Sequence, residues 1–249
     1  MPERGTMTNG NERTMVLVHG AWHGGWCYRR VADLLRRNGH RVYTPTLTGL
    51  GERAHLLSRS INLSTHIADI SNMIRWEDLR QIILVGHSYG GMVVTGVADA
   101  MADRISALVF LDAFLPTAGK SFHEIVPTEV AQAQIQSASA SNGLSVPPIP
   151  AAAFNVNEED RGWVDSLCTP HPLGTLTQPI DLTGNHARIA VKSYVLATKN
   201  PIQLFQDFAR SMRNDRSCIS YALPCGHDVM IDLPKETAAI IEEAATRSH

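Results

Sequence analysis

The segment Gly86-His87-Ser88-Tyr89-Gly90 sets a serine between two glycines. It follows the apolar run Ile82-Ile83-Leu84-Val85 and precedes a stretch of small residues reaching about Ala102. A serine on a sharp turn between a strand and a helix has its hydroxyl projected off the sheet. The flanking glycines leave room for the strained backbone, and the following helix aims N–H groups at the reacting centre. This suits nucleophilic attack on an acyl carbon, with Ser88 as the nucleophile. The G-x-S-x-G pattern alone is common, but here a strand leads in and a helix leads out. The bland alternative is a glycine-rich turn carrying an exposed serine.

A serine hydroxyl needs a base to attack at neutral pH. The chain has 11 histidines, so position must choose among them. His227 stands in the loop Pro224-Cys225-Gly226-His227-Asp228, after the last expected strand. In the order serine, acid, histidine, that loop returns an imidazole to the nucleophile. His87 lies inside the serine turn and is expected to point back into the fold. His19 and His23 have i,i+4 spacing, but Gly20, Gly24 and Gly25 argue against a metal-binding helix, and His19 reads as a loop-orienting residue. No metal and no cofactor are expected. The turn His19-Gly20-Ala21-Trp22 follows the first expected strand. In sites of this kind that turn and the residue after the nucleophile supply the oxyanion donors, here the backbone amides of Ala21 and Tyr89.

These groups need a sheet beneath them. Apolar runs at Thr14–Val18, Ile82–Val85 and Ala107–Leu111 read as buried strands. Amphipathic segments at Trp26–Arg37 and about Ser64–Trp76 read as helices, the first stopped by Asn38-Gly39. A strand at Arg41–Thr44, another at Ile189–Ala197, a helix at about Pro201–Met212, a strand at Ser217–Ala222 and a helix at about Pro234–Ala245 complete the alternation. The fold class is therefore α/β, with a mostly parallel sheet flanked by helices. The proline-rich stretch at about 116–186 reads as a helical cap inserted after the strand that follows the nucleophile helix. The expected organisation is a loose tail at 1–12 and a single domain at 13–249.

The formal net charge is −2, so no basic excess exists to hold nucleic acid phosphates. No apolar run nears the roughly 20 residues that span a bilayer. Cys27, Cys168, Cys218 and Cys225 form no C-x-x-C pair. Reduced cysteines in a cytoplasmic protein are expected, with one Cys218–Cys225 disulfide as the alternative.

The chain resembles the α/β-hydrolase superfamily, and within it the methylesterase and hydroxynitrile-lyase group with related bacterial carboxylesterases. The residues that carry the likeness are Val16-Leu17-Val18-His19-Gly20-Ala21-Trp22-His23-Gly24-Gly25-Trp26, Val85-Gly86-His87-Ser88-Tyr89-Gly90-Gly91-Met92 and Gly226-His227-Asp228-Val229-Met230. The resemblance covers the core and leaves the cap aside. It implies an acid just after the strand at Ile189–Ala197 in many members, but Thr198-Lys199-Asn200-Pro201 offers no carboxylate there. Asp112, at the end of the strand after the nucleophile helix, is the best substitute, and other hydrolases of this fold resemble that arrangement. Asp207 is the runner-up. Either position works, because the carboxylate only has to accept the imidazole Nδ1–H and fix its tautomer.

Carboxylic ester hydrolysis through an acyl-enzyme is the leading expectation, with a small-molecule ester as the partner. Lyases resembling this group carry a lysine next to the catalytic histidine to hold cyanide. Asp228 is an anion in that position, which favours the esterase. The third reading is a ligand receptor on the same fold with little turnover. Trp22, Phe114, Phe122 and Trp163 are candidate substrate-binding residues, with Phe154 beside them. They would make the substrate apolar and of small to medium size. The oligomeric state is open, a homodimer among the options.

Overall fold

A computed structural model describes residues 12–248. The tail expected at 1–12 lies outside the described residues, Glu12 apart. The first half of the chain runs β1 (Thr14–Val18), α1 (Arg29–Arg37), β2 (Arg41–Tyr43), α2 (Leu63–Trp76), β3 (Ile82–His87), α3 (Gly90–Ala100) and β4 (Ile105–Leu111). There follow α4 (Phe122–Ile125), α5 (Thr128–Ala138), β5 (Ser145–Val146), α6 (Glu158–Leu167), β6 (His171–Pro172) and α7 (Gly174–Thr177). The chain closes with β7 (Lys192–Ala197), α8 (Gln203–Arg213), β8 (Cys218–Leu223), α9 (Val229–Asp232) and α10 (Pro234–Arg247).

Six strands form one sheet in the order β2-β1-β3-β4-β7-β8, and every neighbouring pair is parallel. Alternate residues sort to opposite faces, as the two-residue repeat of a strand requires. Val16, Val18, Leu84, Leu108 and Phe110 meet α2, α3 and α8 on one face. Met15, Leu17, Ile83, Val85 and Val109 meet α1 and α10 on the other. Burial on both faces explains why these strands read as unbroken apolar runs.

The strand order reverses between β1 and β3, because β2 was laid on the far side of β1. In open parallel sheets such a point leaves a crevice beyond the carboxyl ends of the strands. The register puts Val18 opposite Gly86, and His87 opposite Leu111. The residues after β1, β3 and β4 therefore leave the sheet side by side.

Several boundaries differ from the sequence reading. The helix expected from Trp26 starts at Arg29, after a 3-10 turn at Gly25–Tyr28; the Gly25 N–H is held by Thr46 Oγ1 at 2.8 Å. The strand expected from Ile189 starts at Lys192, since a turn at Asn185–Arg188 is tied down by Asp99, which accepts from Gly184 and His186. Between β4 and β7 lie four short helices and also an antiparallel β5–β6 ribbon. Two-residue strands beside prolines carry no periodicity to detect. All four cysteines are free, and among the described residues no helix is long and apolar enough to cross a membrane.

The glycines around Ser88 serve close approach, not φ. A Cβ on Gly86 would meet Val94 Cγ2 at 2.7 Å and the Gly90 carbonyl at 2.8 Å, and one on Gly90 would meet the Val18 and His19 carbonyls at 2.7 Å. Gly90→Ala is expected to cost about 1–3 kcal/mol of stability through overpacking, read by urea unfolding. Unchanged stability would mean that the α3 start is not wedged against β1.

Candidate active site

Ser88 has φ 51°, the left-handed region that a non-glycine residue enters at a cost of about 1–3 kcal/mol. The conformation is held from both sides. Ser88 N–H donates to the Leu111 carbonyl at 3.2 Å, and the Ser88 carbonyl accepts from Gly91 and Phe114 at 3.0 Å. Trp22 and Asp112 also have positive φ, at 64° and 42°. Three strained backbones thus stand at the ends of three adjacent strands.

Ser88 and His227 line one cavity of about 140 Å³, together with Ala21, Trp22, Tyr89, Phe114 and Phe122. The His227 ring reaches Asp112 Oδ2 from Nδ1 at 2.7 Å. A carboxylate can only accept here, so Nδ1 carries the proton and Nε2 is left basic. The ring lies between Phe154 and Phe205, with centroids 5.2 and 5.0 Å away. Its loop is fixed by the His227 N–H to the Phe154 carbonyl at 2.9 Å. The Ser88 hydroxyl and the ring make no hydrogen bond to each other among the described residues; catalytic pairs often tighten only around a substrate.

Asp112 is fully buried. Its Oδ1 accepts from the Ala197 N–H at 3.1 Å, and its Oδ2 accepts from Asn200 Nδ2 at 2.5 Å as well as from His227. The Asn200 Oδ1 accepts from Ile202 N–H at 3.1 Å, which fixes which end of the amide faces the carboxylate. Asn200 was passed over in the sequence because it offers no charge. Its contribution is a donor, which stabilises a buried anion. Asp207, the alternative acid, pairs with Arg210 at 3.3 Å on an exposed stretch of α8 and does not reach the ring.

The Ala21 and Tyr89 N–H groups find no acceptor among the described residues and border the cavity. The turn that carries Ala21 is gripped by its neighbours. Trp22 N–H donates to His171 Nδ1 at 3.4 Å, its carbonyl accepts from Thr169 at 2.9 Å, and its indole N–H donates to the Val146 carbonyl at 3.1 Å. His171 must be neutral to accept, and burial pushes its basicity well down. Burial likewise lowers His19 to about 3 and His66 to about 4. His19 joins the Gly20 carbonyl to the Leu47 N–H at 2.8 and 3.0 Å.

His23 is the exception among these buried rings. Its Nδ1 faces the Ala21 carbonyl at 2.8 Å and its Nε2 faces Asp228 Oδ2 at 3.1 Å. Both partners are acceptors, so both nitrogens must donate and the ring is an imidazolium. Burial alone would lower His23, but the Asp228 carboxylate more than reverses this and raises it. Burial would raise Asp228, but the His23 charge holds it well below the usual carboxylate range. One buried ion pair therefore ties the Ala21 turn to the residue beside His227. The sequence carried no signal for a pairing across this distance.

Donor atoms of His87, His227 and Asp228 lie within 4.8 Å of one another. His227 Nδ1 faces Asp112, His87 Nε2 the His227 carbonyl at 3.0 Å and Asp228 Oδ2 His23, while His87 Nδ1 and Asp228 Oδ1 have no hydrogen-bond partner among the described residues. Trp163 calls for a correction. It packs edge-on against Trp26 at 5.2 Å, with the Arg30 guanidinium 5.3 Å over its ring, and does not line the cavity. Its place on α6 directs it to the α1 side of the sheet, where apolar packing with Trp26 takes it up. Phe154 is in the wall instead.

A family model described as "Alpha/beta hydrolase family" matches residues 15–240. A carbendazim hydrolyzing esterase of Nocardioides sp. (strain SG-4G) is 45% identical over 231 residues, covering 90% of this chain and 96% of that protein. Methyl jasmonate esterase 1 of Vitis vinifera is 26% identical, covering 93% and 96%. Among solved structures, an extracellular alpha/beta-hydrolase from a Paenibacillus species superimposes with TM-score 0.81 at 28% identity, covering 93% of this chain and 98% of that one.

The His23–Asp228 pair sets a pH dependence. His23 is raised above 6.5, so its stabilisation is full below that value and is lost as pH rises through the folded value. Asp228 is lowered from 3.8, so its share is present above that value and fails only in stronger acid. His23→Ala is expected to cost about 3–5 kcal/mol at pH 6, as breaking a buried pair does. The wild type should weaken between pH 6 and 9 more than His23→Gln does. Urea unfolding at the two pH values checks this; parallel curves would refute a charged His23.

Proposed function

The chain belongs to the alpha/beta hydrolase family, and from that premise we propose that it works through a Ser88 acyl-enzyme, with His227 as base and acid and Asp112 as the orienting carboxylate. It is an ester-hydrolysing enzyme. The observation that carries the reading of its residues is the shared cavity of Ser88 and His227, the latter hydrogen-bonded at 2.7 Å to a fully buried Asp112.

The steps follow from the groups in hand. His227 Nε2 takes the Ser88 proton as Oγ attacks the ester carbonyl. The carbonyl oxygen becomes an anion, met by the Ala21 and Tyr89 N–H groups. Donors of this kind contribute on the order of 3–4 kcal/mol each to the transition state. Asp112 holds the imidazolium without taking its proton. The imidazolium then protonates the leaving alkoxide, the alcohol departs, and His227 activates a water to release the acid.

The apolar wall favours compact apolar esters. Phe122 and Phe154 belong to the segment 116–186, which we read as a cap closing over the cavity. Carbendazim is the first substrate to assay, given the similarity to an esterase named for it. Cyanohydrin cleavage is disfavoured, because Asp228, beside His227, is an anion paired with His23, and among the described residues no lysine lines the cavity. Four unpaired cysteines support a cytoplasmic location.

With p-nitrophenyl acetate, a burst of one nitrophenolate per active site should precede steady turnover, and Ser88→Ala should abolish both. Retained turnover in Ser88→Ala would overturn the nucleophile assignment. Asp112→Asn should fold normally and lose about 10⁴ in kcat. Near-full activity in that variant would remove Asp112 from the mechanism.

A further inference from the structure

Among the described residues, the cavity wall holds one polar side chain that the reaction does not use and that is not fully committed to other groups. Gln134 stands in the middle of α5, 7% exposed, and borders the same space as Ser88 and His227. The other polar tips of the wall are committed: Tyr89 Oη to His66 at 3.1 Å and Trp22 Nε1 to the Val146 carbonyl at 3.1 Å.

The Gln134 amide is half engaged. Its Oε1 faces His123 Nε2 at 2.9 Å. Burial holds His123 below its ordinary basicity, so the ring is neutral at pH 7 and has one N–H to give, directed at the amide oxygen. The amide nitrogen makes no hydrogen bond with any described residue. Nor is it among the buried polar atoms sealed off without a partner, so its N–H groups remain free to donate to a group that enters the cavity.

We infer that Gln134 is a specificity residue whose Nε2 donates to a hydrogen-bond acceptor on the substrate, away from the scissile carbonyl. The preferred ester would then be compact and mostly apolar, with one carbonyl-type oxygen in its acyl or alcohol portion. His123 is the positioning residue, because it pins the amide oxygen and leaves the N–H groups unpaired. This rests on the esterase reading and narrows it.

The test uses two matched series. p-Nitrophenyl hexanoate is compared with its 4-oxo and 5-oxo derivatives, and hexyl acetate with its 4-oxo and 5-oxo derivatives, on wild type, Gln134→Leu and Gln134→Met. One oxo ester is expected to exceed its parent by roughly tenfold in kcat/KM, the scale of one hydrogen bond. That advantage, read as the ratio of oxo ester to parent within each protein, should vanish in both variants, and circular dichroism with urea unfolding shows that they fold. His123→Phe should weaken the advantage without lowering parent turnover. If no oxo ester is preferred in either series, or the preference survives in both Gln134 variants, the inference is overturned. If wild type turns over none of these esters, the esterase reading itself fails.

Discussion

The Asp112 carboxyl group sits where water does not reach it. A polar group buried in this way is costly unless it is hydrogen-bonded. Three N–H donors meet it: Ala197 at the end of β7, Asn200 just beyond it, and His227 beyond β8. None is close to Asp112 in sequence. They meet because β4, β7 and β8 run parallel in fixed register, with Leu111 opposite Val195 and Ala197 opposite Leu223. A slip of one residue in β7 would turn every side chain to the other face and leave the anion without its donors. The tautomer of His227, and hence the use as a base proposed for it, depends on that register.

The same arrangement explains which parts were legible in the sequence. The strand-to-helix turn that carries Ser88 was legible because Ile82 to Val85 of β3 are apolar at every position, as a strand covered on both faces must be. His227 was legible from its place after the last strand. Asn200 was not, since its role appears only when β7 stands beside β4. His23 and Asp228 were not, because nothing local distinguishes a histidine that meets a carboxylate 205 positions away. Trp163 was misread for a related reason: an aromatic residue in an insertion can serve the cavity or the packing, and only the path of the chain decides which. The β5–β6 ribbon escaped because it is too short for any pattern.

The three positive φ values at Trp22, Ser88 and Asp112 belong to this picture. Each marks a strand end where the chain turns sharply while its side chain or amide is kept near the cavity. Such conformations persist only where the surroundings fix them. Here the grip comes from backbone hydrogen bonds between neighbouring strand ends, and for Trp22 from the Thr169–His171 stretch of the insertion. The segment over the cavity is therefore also a brace for the turn that carries Ala21.

The imidazolium of His23 has a consequence for how such a chain can change over generations. It belongs to the amino-terminal third, and its counter-ion to the last two dozen residues. Losing Asp228 would leave burial to strip the proton from His23, and losing His23 would leave Asp228 with only the His87 ring, 3.5 Å from its other oxygen. Each loss alone is costly, so a gene exchange that brings in a foreign carboxyl-terminal segment is expected to work best when residue 23 comes with it. Lineages that recombine here are expected to inherit both ends from one parent.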